Sequence, residues 1–290
     1  MIAGDLISNF FLRSGKYFKR GNEMITPFNL PWFILITLSF SLPFIIAKKL
    51  EGKSRKEKLF FVKWFSIASA LLWGIYKYLL SIDPNFSFVF WKELPLQPCN
   101  TMLWLGIIAC ILDNETIMSY GYYIGISCAL LALMMPESGF IKVSILSNKA
   151  IGYYGTHALV VMQGLMFVSL GLCKIDYKSA IRSVVFFIFM AFCAHIVNIL
   201  LRVTVYPEAT YYYTFGFDEN FLLRAFKRFI PVPLLYMTPI FIASVFVTCL
   251  ETLIISFLKR LKEIGVTNRF VGRTLWLCYG DHLYYEIHYQ

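Results

Sequence analysis

One thiol and one imidazole are spaced so that they could work together. Leu94-Pro95-Leu96-Gln97-Pro98-Cys99-Asn100 opens one apolar stretch, and Gly155-Thr156-His157 lies early in another, two stretches later. If both stretches cross a membrane, spans of odd rank run the same way, and Cys99 and His157 lie at similar depth near one membrane face. An imidazole beside a thiol raises the thiolate fraction, and the thiolate is the nucleophile. The competing use of the same residues is an inert buried thiol and a histidine bonded to a neighbouring helix, the commoner fate of both types. Spacing alone favours that second use.

Positioning the pair falls to the apolar stretches. Hydrophobic residues make up 58% of the 290-residue chain and charged residues 15%, against roughly 25% charged in a soluble domain. Mean hydropathy is +0.64. These values exclude a disordered chain, a disulfide miniprotein and an ordinary soluble enzyme. A membrane helix needs about 20 mostly apolar residues. Seven stretches qualify, at 28–47, 59–81, 97–112, 117–136, 150–172, 181–204 and 231–257. The expected fold is an all-α polytopic bundle of about seven transmembrane helices, one domain over 28–258. Residues 1–27 read either as a poorly ordered tail or as a segment lying in the interface, the latter being the expectation, with Ile2, Leu6, Ile7, Phe10 and Phe11 on one face and Arg13, Lys16, Lys19 and Arg20 after them. Residues 259–290 form a C-terminal tail. Gly121, Gly125, Gly155 and Gly164 would admit close helix contacts. Pro31, Pro43, Pro233 and Pro239 point to kinks in or near spans.

The net charge of +10 sits at the ends of apolar runs, where it anchors loops to anionic headgroups and argues against nucleic-acid binding. Fourteen cations on the side of the first loop and the C-terminus face eleven on the other. The short first loop alone carries six, Lys48 to Lys58. The expectation is a multi-pass protein of the cell membrane, N-terminus outside and C-terminus cytoplasmic. The seven cysteines form no CxxC, and the four histidines no HExxH, so neither a disulfide framework nor a metal site is expected. GxGxxG, P-loop and GxSxG patterns are absent, and no cofactor is expected. The expected partners are membrane phospholipids.

Other polar residues in the spans carry weaker signals. Gln97 and Asn100 either stabilise an oxyanion or cap the start of their helix. His195 and Asn198 share a helix face; Asn198 is the one that would reach towards His157, and both otherwise read as interhelical hydrogen bonds. Loop 205–229 holds a run of tyrosines suited to headgroup level. It also carries Arg224, Lys227 and Arg228, which would either meet a lipid phosphate or anchor the loop. Lys63 and Lys77 are expected to snorkel. Glu251, late in its span, needs a partner or water, and a transporter would use it as a proton or ion site.

Four strings carry a family resemblance over about half the chain: LPLQPC at 94–99, YYIGISCALLALMMPES at 122–138, GTHALVV at 155–161 and the region around Asn198. Together they resemble the YwaF-type integral membrane proteins. Those proteins are similar to a eukaryotic family of multi-pass phospholipid acyltransferases, itself akin to the androgen-induced membrane hydrolases. The resemblance implies a reactive cysteine opening one span and a histidine two spans later, which fall on Cys99 and His157. It also implies acyl transfer through a thioester, which needs an oxyanion stabiliser; Gln97, Asn100 and backbone amides at the start of the span are candidates, with Asn198 as a candidate orienting group. The family string usually reads Leu-Pro-Leu-His-Leu-Cys; here Gln97 replaces the histidine and Pro98 the leucine. Gln97 donates a hydrogen bond but takes up no proton. The other function class is a non-enzymatic transporter or lipid-binding scaffold.

Overall fold

The computed structural model describes residues 24–84, 86–136, 138–216 and 221–263. Helices α1 (Leu30–Lys49) and α2 (Arg55–Ser81) form the first hairpin. The short α3 (Pro98–Leu112) and the long α4 (Glu115–Met134) form the second. Next come α5 (Asn148–Ser169), α6 (Tyr177–Thr204), the amphipathic α7 (Phe221–Phe229) and α8 (Thr238–Glu263). Six of these are long and apolar enough to cross a membrane, and α3 is a shorter apolar helix. They fall on the seven expected stretches with boundary shifts of a few residues.

The helix starts are written locally. Asn29 accepts from Trp32 N, Ser54 and Glu57 make a capping box, Ser147 accepts from Ala150 N and Asp176 from Ser179 N. Each satisfies backbone donors that the first turn leaves unpaired. Pro31 and Pro239 therefore start helices rather than kinking them, because a first-turn proline has no backbone donor to lose. Pro43 does lie inside α1, and Pro233 precedes the 3₁₀ turn Leu235–Met237. At the N-terminal edge Met24–Ile25 pairs antiparallel with Val143–Ser144, so the end of the expected interfacial segment is a strand. Residues 1–23, with its apolar face and its cations, and 264–290 of the expected tail lie outside the described residues. The last helix runs on to Glu263.

Helices α4 and α5 are the centre: two-thirds (67%) of each apolar stretch is buried, against 17% in α1 and 11% in α8. Small residues set how closely they pack. Gly164 of α5 meets the Gly121 carbonyl and Ile126 of α4, and Gly125 meets Met102 of α3. Gly155, by contrast, has open space where a Cβ would point. Two glycines not marked in the sequence are the tightest: Gly106 against Gln163, and Gly152 against the Tyr76 ring. A Cβ on Gly106 would lie 1.5 Å from Gln163 Nε2, which donates to Ser66 Oγ at 2.7 Å in a buried site. Gly106→Ala must break that bond or part the helices. The cost is about 1–3 kcal/mol for overpacking, with about as much again for an unpaired buried amide. Thermal unfolding in detergent should show Gly106→Ala well below wild type and Gly155→Ala close to it; equal midpoints for the two variants would contradict this packing.

Helix α3 has 15 residues, about 22 Å, short of a hydrocarbon core of about 30 Å. Its far end is fixed. Asp113, in the left-handed region at φ 47°, accepts from Arg55 Nε at 2.9 Å and Nη2 at 2.6 Å. Arg55, the first residue of α2, also donates to the Leu172 carbonyl at 3.0 Å. Arg55 thus ties the far end of α3 to the start of α2 and to the turn after α5. Hydrogen bonding from Arg55 holds the Asp113 carboxyl below its ordinary range. Such a depressed value adds stability above the unfolded-state value, near about 4, and loses it as pH falls through the folded value. Both side chains are partly exposed (39% and 44%), so the gain is at most about 1 kcal/mol. Asp113→Asn should lower the unfolding midpoint slightly at neutral pH. The difference from wild type should vanish on acidification to about pH 2; a difference that grows with acid would reverse the assigned sign.

Candidate functional site

Cys99 occupies the first turn of α3. Its N-cap, Gln97, makes no side-chain capping bond; the Gln97 backbone carbonyl accepts from Thr101 N, while its side-chain Oε1 accepts from Tyr212 N at 3.1 Å. The capping use of Gln97 is thus replaced by a tie to loop 205–216. The backbone N–H groups of that first turn are thus left without a side-chain acceptor.

One helix register places His157 at the level of this thiol, and two more place Cys128 at the level of His157. Gly106 of α3 touches Gln163 of α5. Seven residues back along α3 lies Cys99 and six back along α5 lies His157, rises of about 10.5 and 9 Å. Gly164 of α5 touches Gly121 of α4. These helices are antiparallel, so seven residues back from Gly164 is His157 and seven forward from Gly121 is Cys128. Tyr153 Oη donates to the Ala132 carbonyl at 3.0 Å; one turn from each, on the same faces, come His157 and Cys128. Cys128 lies within electrostatic range of Cys99. Cys99, Cys128 and His157 thus share one layer across α3, α4 and α5. No hydrogen bond joins Cys99 to His157, and Cys128 is at their level. Catalytic hydrogen bonds often close only on the bound substrate.

The imidazole is oriented. His157 Nδ1 lies 2.6 Å from the Tyr153 carbonyl. A carbonyl only accepts, so Nδ1 carries the hydrogen and Nε2 of the neutral ring keeps its lone pair. The Tyr153 ring packs on the imidazole at 4.5 Å. Lys77 lies within electrostatic range of His157. It does not snorkel. Its ammonium pairs with Glu93 from the segment before α3, both side chains being largely buried, and lies 4.9 Å from the Tyr76 ring centre. An ammonium recessed from the surface needs that carboxylate, whereas Lys63 rests over Phe60 and Trp64.

Loop 205–216 departs most from expectation. Tyr211 and Tyr212 are buried (2% and 1% exposed), so they are not part of an interfacial belt. Tyr212 Oη is 3.0 Å from Thr101 Oγ1 and 3.2 Å from Tyr120 Oη. Asn198 holds the loop rather than the imidazole. Its Nδ2 donates to the Tyr211 carbonyl and to Thr214 Oγ1, and its Oδ1 accepts from Tyr211 N. His195 Nδ1 is 3.0 Å from Thr214 Oγ1, and its ring stacks on Phe215. Arg202 donates to the Ala209 carbonyl. Asn100 remains beside Cys99 in the first turn, partly exposed. Arg224 and Arg228 are exposed and Lys227 partly so. All three lie on α7, whose Leu223 and Phe226 pack on Tyr236 and Met237. Because α7 leads into α8, the trio lies on the same membrane face as Cys99. Glu251 bonds to Tyr122, in the π-turn Gly121–Gly125 that widens α4. Among the described residues no group of three His, Cys, Asp or Glu could hold a metal ion.

Helices of this length and hydropathy, packed around a polar layer, define a multi-pass α-helical membrane protein. The chain belongs to the TMEM164 family, whose model matches residues 22–259. Comparison with curated proteins finds no match, and comparison with solved structures finds none. Cys128, Tyr120, Tyr212 and the Lys77–Glu93 pair were not picked out as site residues in the sequence. For Cys128 the signal was available, because it lies within a family-like string.

Proposed function

We propose that this protein is a membrane lipid acyltransferase or hydrolase in which Cys99 is the nucleophile and His157 the base. The observation that carries the reading is the shared layer of Cys99 and His157, with the imidazole held as the tautomer whose Nε2 is free to take a proton. The motif resemblance supports it. In this reading Nε2 takes the thiol proton and Sγ attacks an ester carbonyl. The lyso-lipid alkoxide leaves with the proton from His157. A second hydroxyl, from a lyso-lipid or water, then releases the acyl group from the thioester. Arg224, Lys227 and Arg228 would meet the lipid phosphate. An open apolar groove of about 610 Å³ at the α7–α8 junction, lined by residues such as Ile230, Ile242 and Phe246, suits an acyl chain. That groove would also serve the scaffold reading. The deciding test is acyl transfer from labelled phospholipid to lyso-lipid by purified protein. Cys99→Ala is expected to lose it; a Cys99→Ala protein with undiminished turnover removes Cys99 from the mechanism.

A further inference from the structure

Loop 205–216 forces two consecutive tyrosines into a backbone conformation that side chains disfavour. Tyr212 has φ 53° and Tyr213 φ 57°, at about 1–3 kcal/mol each. The strain is held by Asn198, by Thr210 Oγ1 donating to the Gly216 carbonyl at 2.8 Å, by Leu234 N donating to the Thr214 carbonyl at 2.7 Å and by Tyr236 donating to the Tyr213 carbonyl. Its outcome is a phenol delivered into the bundle beside the first turn of α3. The direction of the hydroxyl chain follows by elimination. Thr101 Oγ1 donates to the Pro98 carbonyl at 2.9 Å, so Tyr212 donates to Thr101, and Tyr120 then donates to Tyr212. Tyr212 is locked from both sides. Tyr120 holds the longest bond in the chain, at 3.2 Å, and lies within electrostatic range of Cys99.

We infer that Tyr120 is the oxyanion donor of the Cys99 site and Tyr212 its positioning residue. The inference rests on the acyl-transfer reading. As the Sγ–C bond forms, the carbonyl π pair moves to oxygen, and the Tyr120 O–H turns from Tyr212 to that oxygen. On collapse the pair returns, the C–O bond to the glycerol breaks, and the leaving alkoxide takes the proton from His157. Tyr120 gives up no proton. Gln97, bound to Tyr212 N, supports the loop instead of the oxyanion.

The experiment compares wild type, Tyr120→Phe, Tyr212→Phe and Cys99→Ala in acyl transfer between labelled phospholipid and lyso-lipid in detergent micelles. It is paired with affinity for an acyl trifluoromethyl ketone, which adds a thiolate to give a tetrahedral oxyanion. Losing one oxyanion donor costs about 10²–10³ in kcat. Tyr120→Phe should show that loss with KM within about twofold, and the same factor lost in ketone affinity. Phenylalanine keeps the ring contact with Phe186, so folding is preserved. Tyr212→Phe should lower kcat less. A folded Tyr120→Phe protein with wild-type kcat and ketone affinity overturns the inference while Cys99→Ala remains dead. Wild-type turnover in Cys99→Ala, or none in wild type, overturns the acyl-transfer reading and this inference with it.

Discussion

Cys99→Ala is expected to reduce acyl transfer on the order of 10⁴-fold or more, and His157→Gln about 10²–10⁴-fold. In the proposed mechanism, loss of the nucleophile removes the covalent path entirely. Loss of the base leaves a thiol that must ionise unaided. Groups that act as one unit are strongly non-additive, so the double variant should be no slower than Cys99→Ala alone. Independent structural roles would instead give multiplying losses. Cys128→Ala separates the two thiols of the layer: Cys128 starts no helix, so it lacks the helix-end setting of Cys99, and the variant should keep most turnover. Cys99 is partly exposed and small, so its truncation should leave the unfolding midpoint near wild type. A Cys128→Ala protein that is dead beside an active Cys99→Ala would exchange the roles of the two thiols.

Asn198→Leu is expected to be the most damaging substitution away from the thiol layer. Asn198 is fully buried, and leucine would strand the Tyr211 N–H and carbonyl that it pairs. Each buried backbone group left unpaired costs about 1–3 kcal/mol. The tyrosines at positive φ would also lose their restraint. Unfolding in detergent should occur at a markedly lower temperature, and limited proteolysis should cut between residues 205 and 216. Turnover should fall even in the folded fraction, because Tyr212 is no longer held against Thr101. An unchanged midpoint and an uncut loop would show that Asn198 does not hold this segment.

The helices were legible because lipid imposes a simple rule: about 20 apolar residues and satisfied backbone groups. Even the short third helix was visible, since Met102 to Leu112 is an unbroken apolar run between Pro98 and Asp113. That Cys99 and His157 open spans running the same way followed from span parity alone. What the sequence could not reveal is azimuth. Nothing in the string says that Asn198 turns to Tyr211 rather than to His157, or that Gly106 and Gly152 are the closest approaches and Gly155 is not. The Tyr211–Tyr213 run misled for a related reason. Amphipathic rings usually mark the membrane–water boundary, and only two residues at positive φ, stabilised from distant helices, send Tyr212 inward. The π-turn of α4 likewise depends on what Tyr122 and Tyr123 find across the bundle, Glu251 and Thr252.

The brevity of α3 has a consequence for which membranes suit the protein. The ester carbonyls of a glycerolipid lie beneath its phosphate, so in the proposed mechanism a thiol opening a short helix would meet them while the lipid stays seated in its leaflet. A helix stopping short of the surface is also sensitive to hydrophobic mismatch. A thicker, sterol-rich bilayer would draw the ester plane away from the sulfur, and a thinner one would bring the two into register.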